Sequence, residues 1–296
     1  MNPLNFVSII VPVRNGEQDI GKVIEALLAQ NYPKSETEII IVDNGSQDRT
    51  KEFIKQYPVI LEIEDQIINS YTARNKGIKI AKGDVFAFTD ADCVPAKNWL
   101  SEGVRALNEK NADMAGGEIK FILSERLSAS EIIDSMIFLQ NRDYVKENRG
   151  AVTANLFVRS SLFGRLGLFA EVRSGGDIEW TSRALRSGFS LIYAPQAIVL
   201  HRLRKFKELM KKAWRVGAGI GIRETMDGKS KFDGKVSLIL RLSIPLPHKN
   251  IRGLLINPEN KDIKGRRITV FLISYFFQLT MLIGILSSIV RSPFKK

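Results

Sequence analysis

Cysteine is almost missing from this chain: Cys93 is the one thiol in 296 residues. That excludes a disulfide framework and a cysteine-built zinc site, and fits a reducing compartment. Internal repeats and low-complexity tracts are absent. Hydrophobic residues make up 44% and charged residues 26%, near globular averages, so a disordered or collagen-like chain is excluded. The N-terminal stretch MNPLNFVSIIVPVRN lacks the basic n-region and 7–15-residue apolar h-region of a signal peptide, so the first 200 residues are expected to stay in the cytosol.

Acidic residues are scarce only in the last third. Residues 201–296 hold 21 Lys+Arg against 6 Asp+Glu, a balance of +15, whereas residues 1–200 hold 23 and 26, a balance of −3. The overall charge of +12 therefore belongs to the C-terminal region. A homeodomain, zinc-finger or RNP-type signature is missing, so no nucleic-acid partner is expected.

The basic third also contains the longest apolar run, Ile268–Val290, 23 residues without a charge. As a helix it spans about 34 Å, enough for a hydrocarbon core of about 30 Å. Lys264, Arg266 and Arg267 precede it, and Arg291, Lys295 and Lys296 follow. The run reads as a membrane anchor or a deeply inserted helix, and charge at both ends leaves its orientation open. Over Phe206–Val216, apolar Phe206, Leu209, Met210, Ala213, Trp214 and Val216 oppose Lys207, Lys211, Lys212 and Arg215. That pattern suits either an interfacial helix on an anionic leaflet or an amphipathic helix packed on the core. Val236–Pro247 is apolar, short and proline-terminated, and reads as interfacial. The expected organisation is a domain over 1–202, a basic interfacial region over 203–263 and a membrane helix with basic flanks over 264–296.

The first 200 residues alternate strand and helix. Val7–Val13 and Glu38–Val42 are β-branched runs typical of strands buried on both faces, and Val85–Thr89 is a third strand. Asp19–Gln30 places apolar residues at 20, 23, 24, 27 and 28, the stripe of a core-facing helix. A second helix, capped by Asp48 or Ser46, runs through Gln56, and a third covers Tyr71–Ala81. Alternating βα units predict an α/β fold, a mostly parallel sheet with helices on both faces, and ligands in such sheets bind at the carboxyl ends of strands. Those ends are acidic here: Arg14-Asn15-Gly16-Glu17 after the first strand, Asp43 after the second, Asp90-Ala91-Asp92 after Val85–Thr89. Asp-x-Asp at a strand end offers hard oxygen ligands to a divalent cation that bridges to a diphosphate. Alternate residues of an extended strand point oppositely, so the turn must begin inside the motif for both carboxylates to converge. Turn chemistry alone also uses Asp in such places.

Four segments, VSIIVPVRNG, IIIVDNGSQDRT, YTARNKGIKIAKGDVFAFTDADCVP and TANLFVRSSLFGRLGLF with GGDIEWTSRALRSGFSLIYAPQAIVLHR, closely resemble the family 2 glycosyltransferases with a GT-A (nucleotide-diphospho-sugar transferase-like) fold, over about residues 6–202. The resemblance implies a nucleotide-sugar donor, UDP- or GDP-linked, and Mn²⁺ or Mg²⁺. It also implies that Pro12, Asn15 and Glu17 lie beside base and ribose, and that Asp43 hydrogen-bonds the base. Arg74 would face the nucleotide or diphosphate, and Asp90 the ribose. Asp92 would bind the cation with the diphosphate, and Asp177 would take the proton from the acceptor hydroxyl. His201 matches a position where some members place a further metal or diphosphate ligand, and otherwise reads as structural or lipid-facing.

The departures from the family pattern matter as much. The usual Glu-Asp pair is here Gly176-Asp177, leaving one carboxylate, and the Gln-x-x-Arg-Trp signature of processive synthases is absent. Asp177 at a helix start also reads as an N-cap, Glu179 is an alternative base, Trp99 reads as core, and Trp180 reads either as core or as lining the acceptor site. Inverting transfer is one displacement: a carboxylate deprotonates the nucleophile and a cation neutralises the leaving diphosphate. No second, nucleophilic carboxylate is needed, unlike a retaining glycosidase. The expected function is transfer of a single sugar to a lipid-linked glycan or glycolipid at the cytosolic membrane face. The alternative is a catalytically silent sugar-nucleotide-binding scaffold on the membrane. A nucleotidyltransferase is excluded because the loop VRNGEQD is too acidic for a triphosphate.

Overall fold

A computed structural model describes residues 5–226, 251 and 265–291; Val236–Pro247 lies outside them. In chain order the elements are β1 (Val7–Val13), α1 (Ile20–Leu28), β2 (Thr37–Asp43), α2 (Thr50–Ile54), β3 (Ile60–Ile63), α3 (Ser70–Ile80), β4 (Val85–Thr89) and β5 (Cys93–Pro95). They continue with α4 (Trp99–Glu109), β6 (Met114–Ile122), α5 (Ala129–Ile137), α6 (Asn141–Lys146), β7 (Asn155–Arg159), α7 (Ser161–Leu166), α8 (Gly176–Arg186), β8 (Leu191–Arg202), α9 (Phe206–Met226) and α10 (Arg267–Arg291).

Two compact units emerge. The first comprises Met1–Ile122, Leu139–Glu171 and Gly176–Arg202 and is built on an eight-stranded sheet in the order β3-β2-β1-β4-β7-β6-β8-β5. The alternating βα units give the parallel half, β3-β2-β1-β4. Beyond β4 the sheet is mixed: β7 runs antiparallel to β4 and β6, β6 and β8 are parallel, and β5 is antiparallel to β8. The β-branched runs are buried end to end, with Ile9, Ile10, Val11, Ile40, Ile41 and Val42 fully enclosed, each side chain contributing about 1.5–3 kcal/mol on leaving water. From α1, Ile20, Val23, Ile24 and Leu27 are buried beneath this sheet and Leu28 packs at the margin.

Two irregularities open the site. The β1–β4 ladder ends at Ile10↔Phe88, whereas β1–β2 continues to Val13↔Asp43. Pro12, which has no N–H to donate, therefore falls two residues beyond the last β4 pairing, where a central strand tolerates it. Strand β8 carries a bulge, its register jumping between Gly117↔Ala194 and Glu118↔Ile198, and bulged strands bend. Only Asp90, Ala91 and Asp92 separate β4 from β5, yet these strands are fourth and eighth in the sheet. The sheet must therefore curl until its last strands return to the carboxyl end of β4.

The second unit comprises Leu123–Phe138, Val172–Gly175 and Leu203–Lys296. The amphipathic stretch beginning at Phe206 extends to Met226, and the apolar run forms α10. Ala129, Ile132 and Ile133 of α5, Leu209 and Ala213 of α9, and Val270 and Phe277 of α10 share one apolar cluster. Helices α9 and α10 touch backbone to backbone: a Cβ on Gly217 would stand 2.1 Å from the Met281 carbonyl oxygen, and one on Gly284 2.4 Å from that of Trp214. Glycine is required at both. Helix α5 begins with a capping box between Ser128 and Glu131, and the buried Asp134 carboxylate accepts from the Arg204 backbone N–H at 2.9 Å and its guanidinium at 3.2 Å.

Candidate active site

The carboxyl ends of β1, β2 and β4 lie along one edge of the sheet because these strands are neighbouring and parallel. After β1, Asn15 adopts φ +50°, a left-handed conformation that asparagine tolerates. Its N–H donates to Ser46 Oγ at 2.9 Å and its Oδ1 accepts from the Gln47 N–H at 2.9 Å. Gly16 N–H donates to Thr50 Oγ1 at 2.8 Å. Glu17 sits in an exposed ion pair with Arg49 at 2.7 Å; the side-chain hydrogen bond from Arg49 holds its carboxyl below the usual range. The N-cap position of α2 is Arg49, not Asp48 or Ser46; Asp48, one residue earlier, accepts from the Thr50 N–H at 3.1 Å, and Ser46 is committed to Asn15.

Asp43 is fully buried. Its Oδ1 accepts from the Ser46 N–H at 3.0 Å, and Oδ2 has no hydrogen-bond partner among the described residues. A buried carboxylate oxygen left unpaired is costly, and it is a ready acceptor for an N–H brought in by a ligand. Asn44 beside it braces the loop, donating to the Glu64 and Ile67 carbonyls at 2.8 and 2.9 Å.

The Asp-x-Asp turn starts inside the motif, the Cys93 N–H donating to the Asp90 carbonyl at 3.0 Å, yet the two carboxylates take different partners rather than converging on one. Asp90 pairs with the buried guanidinium of Arg74. The partly exposed Asp92 places Oδ2 3.3 Å from Nε2 of His201. His201 is buried, with the ring of Phe121 edge-on to its own at 6.1 Å, so it is not lipid-facing. Asp92, His201 and the core-buried Cys93 present ligand atoms within 4.8 Å of one another. A carboxylate and an imidazole, one side open to solvent, form a donor set that fits Mn²⁺.

Asp177 lies in the first turn of α8, which starts at Gly176, one residue inside the helix rather than capping it. The carboxylate is buried. Oδ1 accepts from the Tyr71 hydroxyl at 2.9 Å and the Ile178 N–H at 2.9 Å, and Oδ2 from the Thr153 N–H at 3.2 Å. Tyr71 stands three residues before Arg74 on α3, and the guanidinium lies 5.5 Å from its ring centre. Asp90, Arg74, Tyr71 and Asp177 thus form one continuous line of contacts. Tyr71 and Thr153 are absent from the sequence-derived set; for Tyr71, the i, i+3 spacing to Arg74 was the one available signal.

Glu179 is engaged by Arg183 at 3.0 Å. Trp180 belongs to the core rather than to an acceptor site: it is fully enclosed, stacks on Phe163 at 4.4 Å, and donates to the Gly167 carbonyl at 2.8 Å. Trp99 is likewise core, its indole N–H donating to Asn155 Oδ1 at 2.8 Å.

This arrangement, acidic strand ends facing a buried carboxylate across a cation-bearing helix, can bind a ligand's N–H groups and phosphates and withdraw a proton. Residues 8–165 match the family model described as glycosyl transferase family 2. The chain is 41% identical over 222 residues to glycosyltransferase AglE of Haloferax volcanii, covering 73% of each chain. It is 29% identical over 239 residues, 74% of each chain, to the dolichyl N-acetyl-alpha-D-glucosaminyl phosphate 3-beta-D-2,3-diacetamido-2,3-dideoxy-beta-D-glucuronosyltransferase of Methanococcus voltae. Among solved structures, the mannosyltransferase PcManGT from Pyrobaculum calidifontis, in complex with GDP-Man and Mn²⁺, superposes with a TM-score of 0.63 at 17% identity, covering 99% of this chain and 89% of that one. TarS 1–349 of S. aureus with UDP-GlcNAc gives 0.55 at 18%, covering 95% and 90%. The chain belongs to glycosyl transferase family 2, and its first unit is a GT-A fold. It is a glycosyltransferase.

Proposed function

We propose that the chain transfers one sugar, with inversion, from a nucleoside diphosphate sugar to a hydroxyl of a lipid-linked glycan at a membrane surface. The observation that carries this reading is the line Asp90–Arg74–Tyr71–Asp177, which joins the acidic strand end to one buried carboxylate. A lone carboxylate suits single displacement, in which it accepts the acceptor's proton as the anomeric carbon changes partner.

Oδ2 of Asp43, unpaired among the described residues, supports a hydrogen bond to an N–H of the base. The buried Arg74 supports contact with the diphosphate, with Asp90 fixing its guanidinium and meeting the ribose. Pro12, Asn15 and Glu17 shape the base side of the loop, and Glu17 exchanges Arg49 for ligand there. Asp92 and His201 would hold Mn²⁺ or Mg²⁺, which when bound supplies Lewis-acid neutralisation of the leaving diphosphate. Asp177 is the base. The named donors of the solved relatives, GDP-Man and UDP-GlcNAc, support a UDP- or GDP-sugar.

The acceptor and location are argued separately. The Methanococcus voltae relative's name places its acceptor sugar on dolichyl phosphate, which supports a polyprenyl-linked acceptor. Helix α10 is apolar enough over Arg267–Ser288 to cross a membrane, with one third of that window buried. Ile268, Leu272, Phe276 and Ile283 remain exposed along it, and we assign them to lipid, with the first unit on the cytosolic side.

Purified protein should be screened with UDP- and GDP-sugars and Mn²⁺ for a rise in melting temperature, since a ligand bound only by the native state stabilises it. The best donor is then assayed for nucleoside diphosphate release with a short-chain polyprenyl phosphate carrying N-acetylglucosamine. Asp177→Asn should bind donor normally and release essentially nothing; near wild-type turnover would refute the assignment.

A further inference from the structure

We propose that Tyr71 is a positioning residue for the transfer: its phenol fixes which oxygen of Asp177 receives the acceptor's proton, and its ring ties that carboxylate to the Arg74–Asp90 pair. This role rests on Asp177 being the base.

A carboxylate offers about four lone-pair sites, two on each oxygen. On Oδ1 both are filled at short range, by the Tyr71 hydroxyl and the Ile178 N–H, each at 2.9 Å. On Oδ2 the Thr153 N–H sits at 3.2 Å, and the remaining contact is the Thr153 hydroxyl at 3.5 Å, at the outer limit of hydrogen bonding. An acceptor hydroxyl displaces that contact far more easily than either donor on Oδ1. The proton therefore moves to Oδ2. The acceptor oxygen bonds to the anomeric carbon, the bond from that carbon to the phosphate oxygen breaks, and its electron pair leaves with the nucleoside diphosphate.

The ring is held where this requires. Asn69 caps α3 by accepting the Tyr71 N–H at 2.8 Å. Asn75, one turn on, grips the backbone of Phe169 in both directions, at 2.9 and 3.1 Å, and Phe169 packs on the Tyr71 ring with centroids 6.0 Å apart. Burial, and next the negative charge of Asp177, push the phenol well above its ordinary range, so it remains a donor at any working pH.

A second, independent observation concerns Gly176, the residue directly before Asp177. A Cβ there would stand 3.1 Å from the Tyr71 ring and 3.0 Å from the Ala170 carbonyl oxygen, closer than ordinary van der Waals contact. The ring occupies the space into which a side chain at 176 would grow. Gly176 and Tyr71 are thus one device: the absence of a side chain at 176 leaves room for the phenol that orients the Asp177 carboxylate.

Tyr71→Phe removes the hydroxyl and keeps the ring under Arg74. With the best donor and the polyprenyl-linked acceptor, and with water as a second acceptor, kcat should fall about 10- to 100-fold, the scale of a misaligned reacting group. Donor KM should stay within about twofold, because the phenol touches the base and not the nucleotide. In an Asp177→Asn background the same change should have no further effect. Wild-type kcat in Tyr71→Phe, with Asp177→Asn inactive, overturns this inference and leaves the base intact; an active Asp177→Asn overturns the base assignment itself. Should Tyr71→Phe fold poorly, 3,5-difluorotyrosine at position 71 preserves the shape and alters only the phenol's donor strength. A changed kcat at constant donor KM supports the role, and an unchanged kcat overturns it.

Discussion

Asp43 offers the sharpest residue-level test of donor binding, because half of its carboxylate is buried without a partner among the described residues. Asp43→Ala should raise donor KM by about 10- to 100-fold, the worth of a lost hydrogen bond to a charged group, with kcat little changed. Calorimetric titration with the nucleoside diphosphate alone checks it. Asp92→Ala should leave binding of the metal-free nucleotide in place and abolish the additional thermal stabilisation by Mn²⁺; His201→Ala should weaken the same increment. At this scale much was legible: Asp43, Asp90 and Asp92 stand at or just after the carboxyl ends of apolar strand runs, the positions where parallel sheets bind ligands. Thr153 and Tyr71 were not legible. Tyr71 meets Asp177 across 106 residues of chain, and no local pattern encodes a contact between the starts of two helices so far apart in sequence.

At the scale of elements, α3 is the piece that aims the site, since Tyr71, Arg74 and Asn75 all project from one of its faces. Its order depends on the Asn69 cap, so Asn69→Ala should cost about 1 kcal/mol of stability, read as a lowered denaturation midpoint, and lower kcat more than donor affinity. The α9–α10 pair depends on backbone contact at Gly217 and Gly284. Gly217→Leu should drive the helices apart and increase protease cleavage in α10. Helix α5 carries a pH term. Burial of Glu131 favours its neutral form, but the hydrogen bonds from the Ser128 side chain and N–H prevail and hold the carboxyl below the usual range. A depressed folded value means this stabilisation is complete above the unfolded glutamate value of about 4.3 and is lost as pH falls through the folded one. Ser128→Ala should therefore narrow the gap in stability between neutral and acid pH. Periodicity marked α1 to within two residues of its ends, because an amphipathic stripe is local; the third expected helix, Tyr71–Ala81, lies one residue off α3 at each end. The antiparallel pairing of β5 and β7 escaped it, because strand direction depends on which neighbours meet.

For the whole molecule, the uneven charge is the governing fact: +15 over residues 201–296 and −3 before them. Proposed attachment through the last third predicts that the intact chain floats with anionic vesicles, and that removal of residues 268–296 leaves it in the supernatant. Phe276→Glu combined with Ile283→Glu, at two exposed positions of α10, should weaken flotation without altering the first unit's melting behaviour. Retention of full flotation by the double variant would argue that other segments carry the attachment.

By itself the sequence determined the features that composition and short spacing dictate: the alternating βα elements, the acidic strand ends, the apolar C-terminal helix and the segregation of charge. Each depends on residues a few positions apart, where backbone geometry alone sets the outcome. Only the tertiary structure decided that the sheet turns mixed and curls beyond β4, that Trp180 is core, that Asp90 and Asp92 part toward Arg74 and His201, and that Tyr71 fills the space beside Gly176. Those are packing outcomes. They arise when distant segments compete for the same volume and the same hydrogen-bond sites, and a one-dimensional pattern carries no record of that competition.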